Sequence, residues 1–301
     1  MLLTREKDGA LASGTVRDGR TGQFRAAAIR LARRNPVAAS GALLLTLVVL
    51  LAVFAPLAGT VDPDAISPIH RLRSPSLEHW FGTDSVGRDL YSRIVYGTRV
   101  SLLIGFSVAV LSTGIGFLIG LLAGFNRLAD ALLMRIMDGL MAVPPILLAI
   151  ALMALSGASV GNVIMAITIA EVPRVTRLVR SVVLTLRDQP FVEAAHAAGT
   201  RSWRILFIHI LPNTVAPLIV QATYVCASAM IIEAILSFLG AGAPPTVPSW
   251  GNIIAEGRTL FLVAPYIVII PSLFLSVTVL AVNLLGDGMR DALDPRLANR
   301  M

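Results

Sequence analysis

The chain has 301 residues, 55% of them hydrophobic and 14% charged, with a mean hydropathy of +0.77. Soluble domains carry about a quarter charged residues, so ordinary water-soluble domains are excluded. Lys and Arg total 25 against 18 acids, yet Lys7 is the one lysine, so a phosphate loop ending Gly-Lys-Ser/Thr, a Schiff-base lysine and a kinase-type lysine are all excluded beyond it.

Residues 1–36 are polar and basic and read as a cytoplasmic tail. The uncharged run 37–58 is long enough to cross a hydrocarbon core of about 30 Å, which needs roughly 20 helical residues. A cleaved signal peptide is the competing reading; the run is too long for a signal core and its polar leader is too long as well. Residues 59–99 follow as an external segment. Asp84 is placed to cap a short helix there, Asp89 and Arg93 form an i, i+4 pair on it, and Leu90, Ile94 and Val95 suit an interfacial helix. The second span is read at 100–125, with Gly116, Gly120 and Gly124 on one face for close helix packing. The third is read at about 136–155, and the fourth at 160–172, continuing past Pro173 onto the Arg174, Arg177, Arg180 face.

Between the fourth and fifth spans lies the segment 188–199. Asp188 is read as its cap, Pro190 as a first-turn residue and Gly199 as a left-handed stop, which gives a short Ala-rich helix. Its small surface and lack of a catalytic group suit a docking element as well as a plain connector. The fifth span, 215–239, contains Glu233. The connection 240–260, with Pro244, Pro245, Pro248, Trp250 and Gly251, reads as a shaped external loop that meets a ligand or a partner or simply caps the bundle. The sixth span is read at 261–285 and residues 286–301 as a cytoplasmic tail, so that 100–285 form the transmembrane core.

Orientation follows from the basic residues. With the N-terminus inside, only Arg71, Arg73, Arg88, Arg93, Arg99 and Arg258 of the 25 fall outside, which favours both termini in the cytoplasm. The positive charge is thus a topology signal, and a nucleic-acid surface is set aside. The single Cys226 excludes a disulfide framework and reads as an apolar filler.

The run Glu193-Ala194-Ala195, then Gly199, then Leu211-Pro212, resembles the Glu-Ala-Ala loop of permease subunits in binding-protein-dependent, ATP-driven importers. His209 departs from the wider pattern, where an isoleucine stands; the run from His209 to Asn213 resembles the peptide-transport branch. Gly82-Thr83-Asp84 with Gly87-Arg88-Asp89, the stretch from Tyr96 to Leu102, and the stretch from Asn283 to Arg296 point to the same branch. The resemblance covers about residues 30–296.

It implies an all-α membrane protein with six transmembrane helices and the type I ABC importer permease fold, acting as the second permease of a dipeptide or oligopeptide importer. The implied partners are a homologous permease subunit, two ATP-binding subunits, an external substrate-binding protein, a peptide substrate and the bilayer. ATP and magnesium would sit on the ATPase subunits, with no cofactor and no catalytic residue on this chain. Glu193, Ala194, Ala195 and Gly199 would form the ATPase-coupling helix, Glu233 would line the substrate path or meet a partner arginine, and Pro245, Trp250 and Gly251 would shape an external gate loop. A nickel or metal-chelate permease is the nearest alternative. An ion-coupled carrier would need paired midplane charges and an internal repeat, and an intramembrane enzyme a convergent catalytic set; neither is evident. Asp138 and Glu171 are expected to snorkel or pair near the inner interface.

Overall fold

Prolines and short polar side chains decide where the helices begin. Pro36 occupies the first turn of α1 (Pro36–Val53), where a missing N–H costs nothing. Asp89 caps α2 (Leu90–Phe125) by accepting the Ser92 N–H at 2.8 Å. Asn126 accepts the Leu128 and Ala129 N–H groups to start α3 (Arg127–Met141), and Pro145 opens α4 (Pro145–Ser156). Ser159 caps α5 (Val160–Arg187). Then come α6 (Pro190–Ala197), α7 (Ser202–Ile205), α8 (Leu211–Phe238), α9 (Trp250–Gly257) and α10 (Tyr266–Leu293). The computed structural model describes residues 35–293, so the expected tail 1–36 lies almost wholly outside them.

Four stretches are each long and apolar enough to cross a membrane: α1, α2, the run from α7 through α8, and α10. The expected third span is instead two helices, α3 and α4, bent by 88° at residues 142–144. The reason is Pro144 and Pro145: a proline disfavours helix in the residue before it and offers no N–H to the preceding turn. The fourth stretch does continue past Pro173, as its sequence allowed. α5 runs 28 residues, keeps Pro173 inside it and buries its Val175, Val179 and Val183 edge.

Two boundaries also move. α2 is one continuous helix from Leu90, about 54 Å long at 1.5 Å per residue, so the expected separate interfacial helix is its first turns and no helix begins at 100. α10 starts after Pro265 and continues to Leu293, so residues 261–265 are not helical and the helix is unbroken at 286; residues 294–301 lie outside the described part.

The core is a packing of α2 on α5 and α8, with α10 against α8 and α1. Glycine spacing explains the first contact. A Cβ at Gly116 would sit 2.7 Å from Val175 Cβ, one at Gly120 2.7 Å from Val179 Cβ, and one at Gly124 2.6 Å from Val183 Cγ1. Three successive turns of α2 thus receive three successive valines of α5, the close approach that small residues four apart allow.

At the arginine-rich end, α5 is tied to α3 by two ion pairs. Arg180 makes a two-pronged pair with Asp130, and Arg177 meets Asp138 at 2.6 Å. Arg187 donates to the Gly124 carbonyl at 2.7 Å. Asp138 is therefore a pairing residue. Glu171 lies deeper than expected: it is 1% exposed, accepts from the Ser228 hydroxyl at 3.1 Å and has Arg174 at 3.5 Å.

Candidate functional site: an exposed helix and a bolted loop

At the arginine-rich end, α5 stops at Arg187 and the chain turns into α6. Asp188 does not cap α6, as its sequence position suggested; it closes α5, and Gln189 precedes Pro190 in extended conformation without a side-chain cap. Proline at the first turn supplies the start on its own. The stop follows the expected device. Gly199 has φ +74°, its N–H reaches the His196 carbonyl at 3.0 Å, and Thr200 N–H reaches the Ala195 carbonyl at 3.0 Å. These two bonds satisfy carbonyls that the helix end would orphan. A Cβ at Gly199 meets nothing within 4 Å, so only the backbone conformation asks for glycine.

One side chain anchors α6. Val192 is 1% exposed and packs in the main core cluster with Ile205 and Ile210. Ala195 is half-buried against it, whereas Glu193, Ala194, His196, Ala197, Ala198 and Gly199 are exposed. The structure thus brings Glu193, Ala194 and Gly199 together on a short free face, with Ala195 turned partly inward. Phe191 and Trp203 of the adjoining α7 add exposed aromatic surface.

Between α7 and α8 the chain widens into a π-type turn, Leu206–Ile210, in which Leu211 N–H reaches back five residues to the Leu206 carbonyl. Pro212 follows; its ring crowds the carbonyl four residues back and its missing N–H breaks the ordinary ladder. The Asn213 side-chain amide donates to the His209 carbonyl at 2.6 Å.

The opposite end is held by polar side chains. Glu233 is 1% exposed and faces inward within the chain: its Oε1 accepts from the Ser237 hydroxyl at 2.9 Å and the Ser249 hydroxyl at 2.8 Å. Within this chain the carboxylate is thus enclosed between α8 and the start of α9. Gly251 allows this approach, since a Cβ there would lie 2.9 Å from Glu233 Oε1.

Ser249 also caps α9 by accepting the Asn252 N–H at 3.1 Å. The Asn252 amide donates to the Pro244 and Val247 carbonyls, each at 2.9 Å, which fixes the loop. Residues 250–257 are therefore helix and not loop, because the prolines end at Pro248 and Ser249 supplies a cap. Trp250 is fully buried, donating its indole N–H to the Ile94 carbonyl at 3.2 Å, and Gly251 is buried too; of the three expected loop residues only Pro245 is exposed.

An ion network links this region to α2. Arg93, fully buried, donates to Glu256 at 2.5 and 2.9 Å and to Asp84 at 2.8 Å. Arg88 bonds Asp84 at 2.6 Å and Glu256 at 2.9 Å. Two cations and two anions balance, which offsets the desolvation that an isolated buried charge would suffer. The expected Asp89–Arg93 pair does not form; Asp89 takes the Ser92 hydroxyl and His79 at 3.1 Å, and Asp84 makes a local turn instead of a helix cap. Sequence reasoning missed Glu256 entirely. The available signal was that Arg93 precedes an apolar run and needs an acid.

The chain matches the family of binding-protein-dependent transport system inner membrane components over residues 116–299, a stretch holding both α6 and the bolted loop. The chain belongs to this family. It is 52% identical over 272 residues to a probable peptide ABC transporter permease protein of Sinorhizobium fredii, covering 90% of this chain and 93% of that protein. It is 44% identical over 271 residues to a dipeptide transport system permease protein of Alkalihalophilus pseudofirmus, covering 90% and 89%.

Among solved structures, the MetNI methionine ABC transporter in an inward-facing conformation superposes with a TM-score of 0.58 at 19% identity, covering 67% of this chain and 96% of that one, which shows the shared importer fold. The chain is thus a permease subunit of a binding-protein-dependent importer, a transport subunit that works with ATPase and substrate-binding partners.

Proposed function

We propose that this permease imports peptides, pairs with a homologous permease and two ATP-binding subunits, and receives its substrate from an external binding protein. Both termini then lie in the cytoplasm, and ATP and magnesium are held by the ATPase subunits. The exposed α6, anchored mainly through Val192 and covered by alanines, carries the coupling part of this reading. Ala194, Ala197 and Ala198 let a partner's backbone approach, and Glu193 offers one charge at the rim. The names of the relatives support peptide as cargo.

In this reading, nucleotide binding closes the ATPase pair and displaces α6. The displacement passes to α5 through the turn at Asp188 and to α8 through α7 and the π-type turn. Nucleotide supplies the energy by binding one conformation better than the other. Moving the population from 1:99 to 99:1 takes about 5.5 kcal/mol of such preference.

The test is the assembled transporter in vesicles. Ala194→Trp is expected to abolish peptide uptake and release the ATPase subunits, and peptide is expected to raise ATP hydrolysis where nickel or a metal chelate does not. Normal uptake by the Trp variant sinks the docking assignment; stimulation by the chelate alone sinks the peptide assignment.

A further inference from the structure

The four apolar helices α1, α2, α8 and α10 do not close on one another completely. α1 packs on α2 and α10, and α8 packs on the same two helices. The space left over is a groove of about 940 Å³, walled by side chains such as Val49, Leu103, Phe106, Ile219 and Val282. Two hydroxyls reach its wall, and both are already spent as donors. Thr113 donates to the Ala109 carbonyl at 2.6 Å and Thr223 to the Val220 carbonyl at 2.7 Å. A peptide in the groove would leave its backbone N–H and C=O groups without partners, and a water would find too few. Hydrocarbon asks for nothing and fits.

One end of the groove is different. Arg99 stands there, exposed, as the last charged residue before the uncharged run 100–125. Its Nε donates to the Ala52 carbonyl at 2.5 Å and one terminal nitrogen to the Val53 carbonyl at 3.1 Å, which satisfies the end of α1. A guanidinium carries five N–H donors, so three remain, and among the described residues Arg99 makes no ion pair. The groove extends along α2 from Arg99 to Thr113, about 21 Å at 1.5 Å per residue, against about 15 Å for half the hydrocarbon core. That depth suits acyl chains entering from one leaflet.

We propose that this groove holds the acyl chains of a phospholipid whose phosphate is bound by Arg99. The phosphodiester supplies the acceptors that the spare guanidinium donors lack, in the geometry that makes arginine a phosphate binder. A helix of a partner subunit could fill the apolar part, but it would have to bring an acid to Arg99 at the membrane edge.

The experiment uses the assembled transporter in vesicles containing phosphatidylglycerol with a photoactivatable diazirine on one acyl chain. After irradiation, labelled peptides are mapped by mass spectrometry. Label is expected on α2 and α8 residues of the groove, falling about tenfold in Arg99→Gln, which keeps a donor for the α1 carbonyls, and equally in Ala222→Phe, which fills the groove with the charge intact. Co-elution of the subunits verifies that each variant is assembled. Label spread over the outer helix faces, or unchanged in both assembled variants, overturns the proposal. So does a cross-link from Cys226 to the partner permease, which would put a protein helix in the groove.

Discussion

Arg93 of α2 and Glu256 of α9 lie 163 residues apart and meet through two hydrogen bonds of 2.5 and 2.9 Å, with Arg93 fully buried. This pair, shared with Asp84 and Arg88, is what fastens the segment 59–89 and α9 to the head of α2. Breaking one side of a buried pair costs about 3–5 kcal/mol, whereas replacing both sides by apolar groups is often close to neutral. Glu256→Gln is therefore expected to destabilise the purified complex by about 3 kcal/mol. The double variant Arg93→Met/Glu256→Leu leaves Asp84 with Arg88 and should recover most of that loss. Denaturant midpoints of both variants check this; a double variant as weak as the summed singles refutes it.

A second expectation concerns the stripe where α2 meets α5. Gly120→Ala puts a methyl 2.7 Å from Val179 Cβ and 2.8 Å from the Thr176 carbonyl. Overpacking of this kind costs about 1–3 kcal/mol. Val179→Ala opens space on the other side, so the double variant should be more stable than Gly120→Ala alone. A thermal-melt cycle of the two singles and the double measures the coupling, and additive effects count against direct contact.

Gly199 offers a test that separates conformation from sterics. With φ at +74° and open space around it, alanine is disfavoured by about 1–2 kcal/mol in the left-handed region while asparagine is tolerated there. Gly199→Ala should lower peptide uptake several-fold with ATP hydrolysis persisting, and Gly199→Asn should restore it. Equal losses in both variants would mean that the surface at this position needs to be bare.

Glu233 is expected to behave as a fastener. Glu233→Gln keeps an acceptor for the Ser237 and Ser249 hydroxyls, so uptake should stay within about twofold. Glu233→Ala leaves both hydroxyl protons without that acceptor at a cost of about 1–3 kcal/mol and should speed amide exchange across residues 243–252. A large uptake loss in the Gln variant, with normal exchange, would return the carboxylate charge to the transport path.

The apolar runs made the helical class and most spans legible, because a hydrocarbon solvent selects uncharged stretches of fixed length. The 88° break between α3 and α4 was not read, although Pro144 and Pro145 announce it: mean hydropathy reports that a stretch is apolar and says nothing of its direction. The bonds that Glu233 makes within the chain were not legible for a related reason. α8 is apolar on every side, so no polar face tells which residues turn toward neighbouring helices and which toward lipid. The partners of Arg93 were hidden because Glu256 is brought to it only by the packing of α9. The Gly-rich stripe and the Gly199 stop, by contrast, are local devices, and spacing alone disclosed them.

The valines of α5 seated on Gly116, Gly120 and Gly124 leave backbone against backbone for three turns, and such a contact cannot slide without a clash at every turn. Those two helices therefore travel as one rigid body. Any hinge between the two faces of the membrane has to fall elsewhere, at the 142–144 break or at the widened turn 206–210, where the helical ladder is already interrupted.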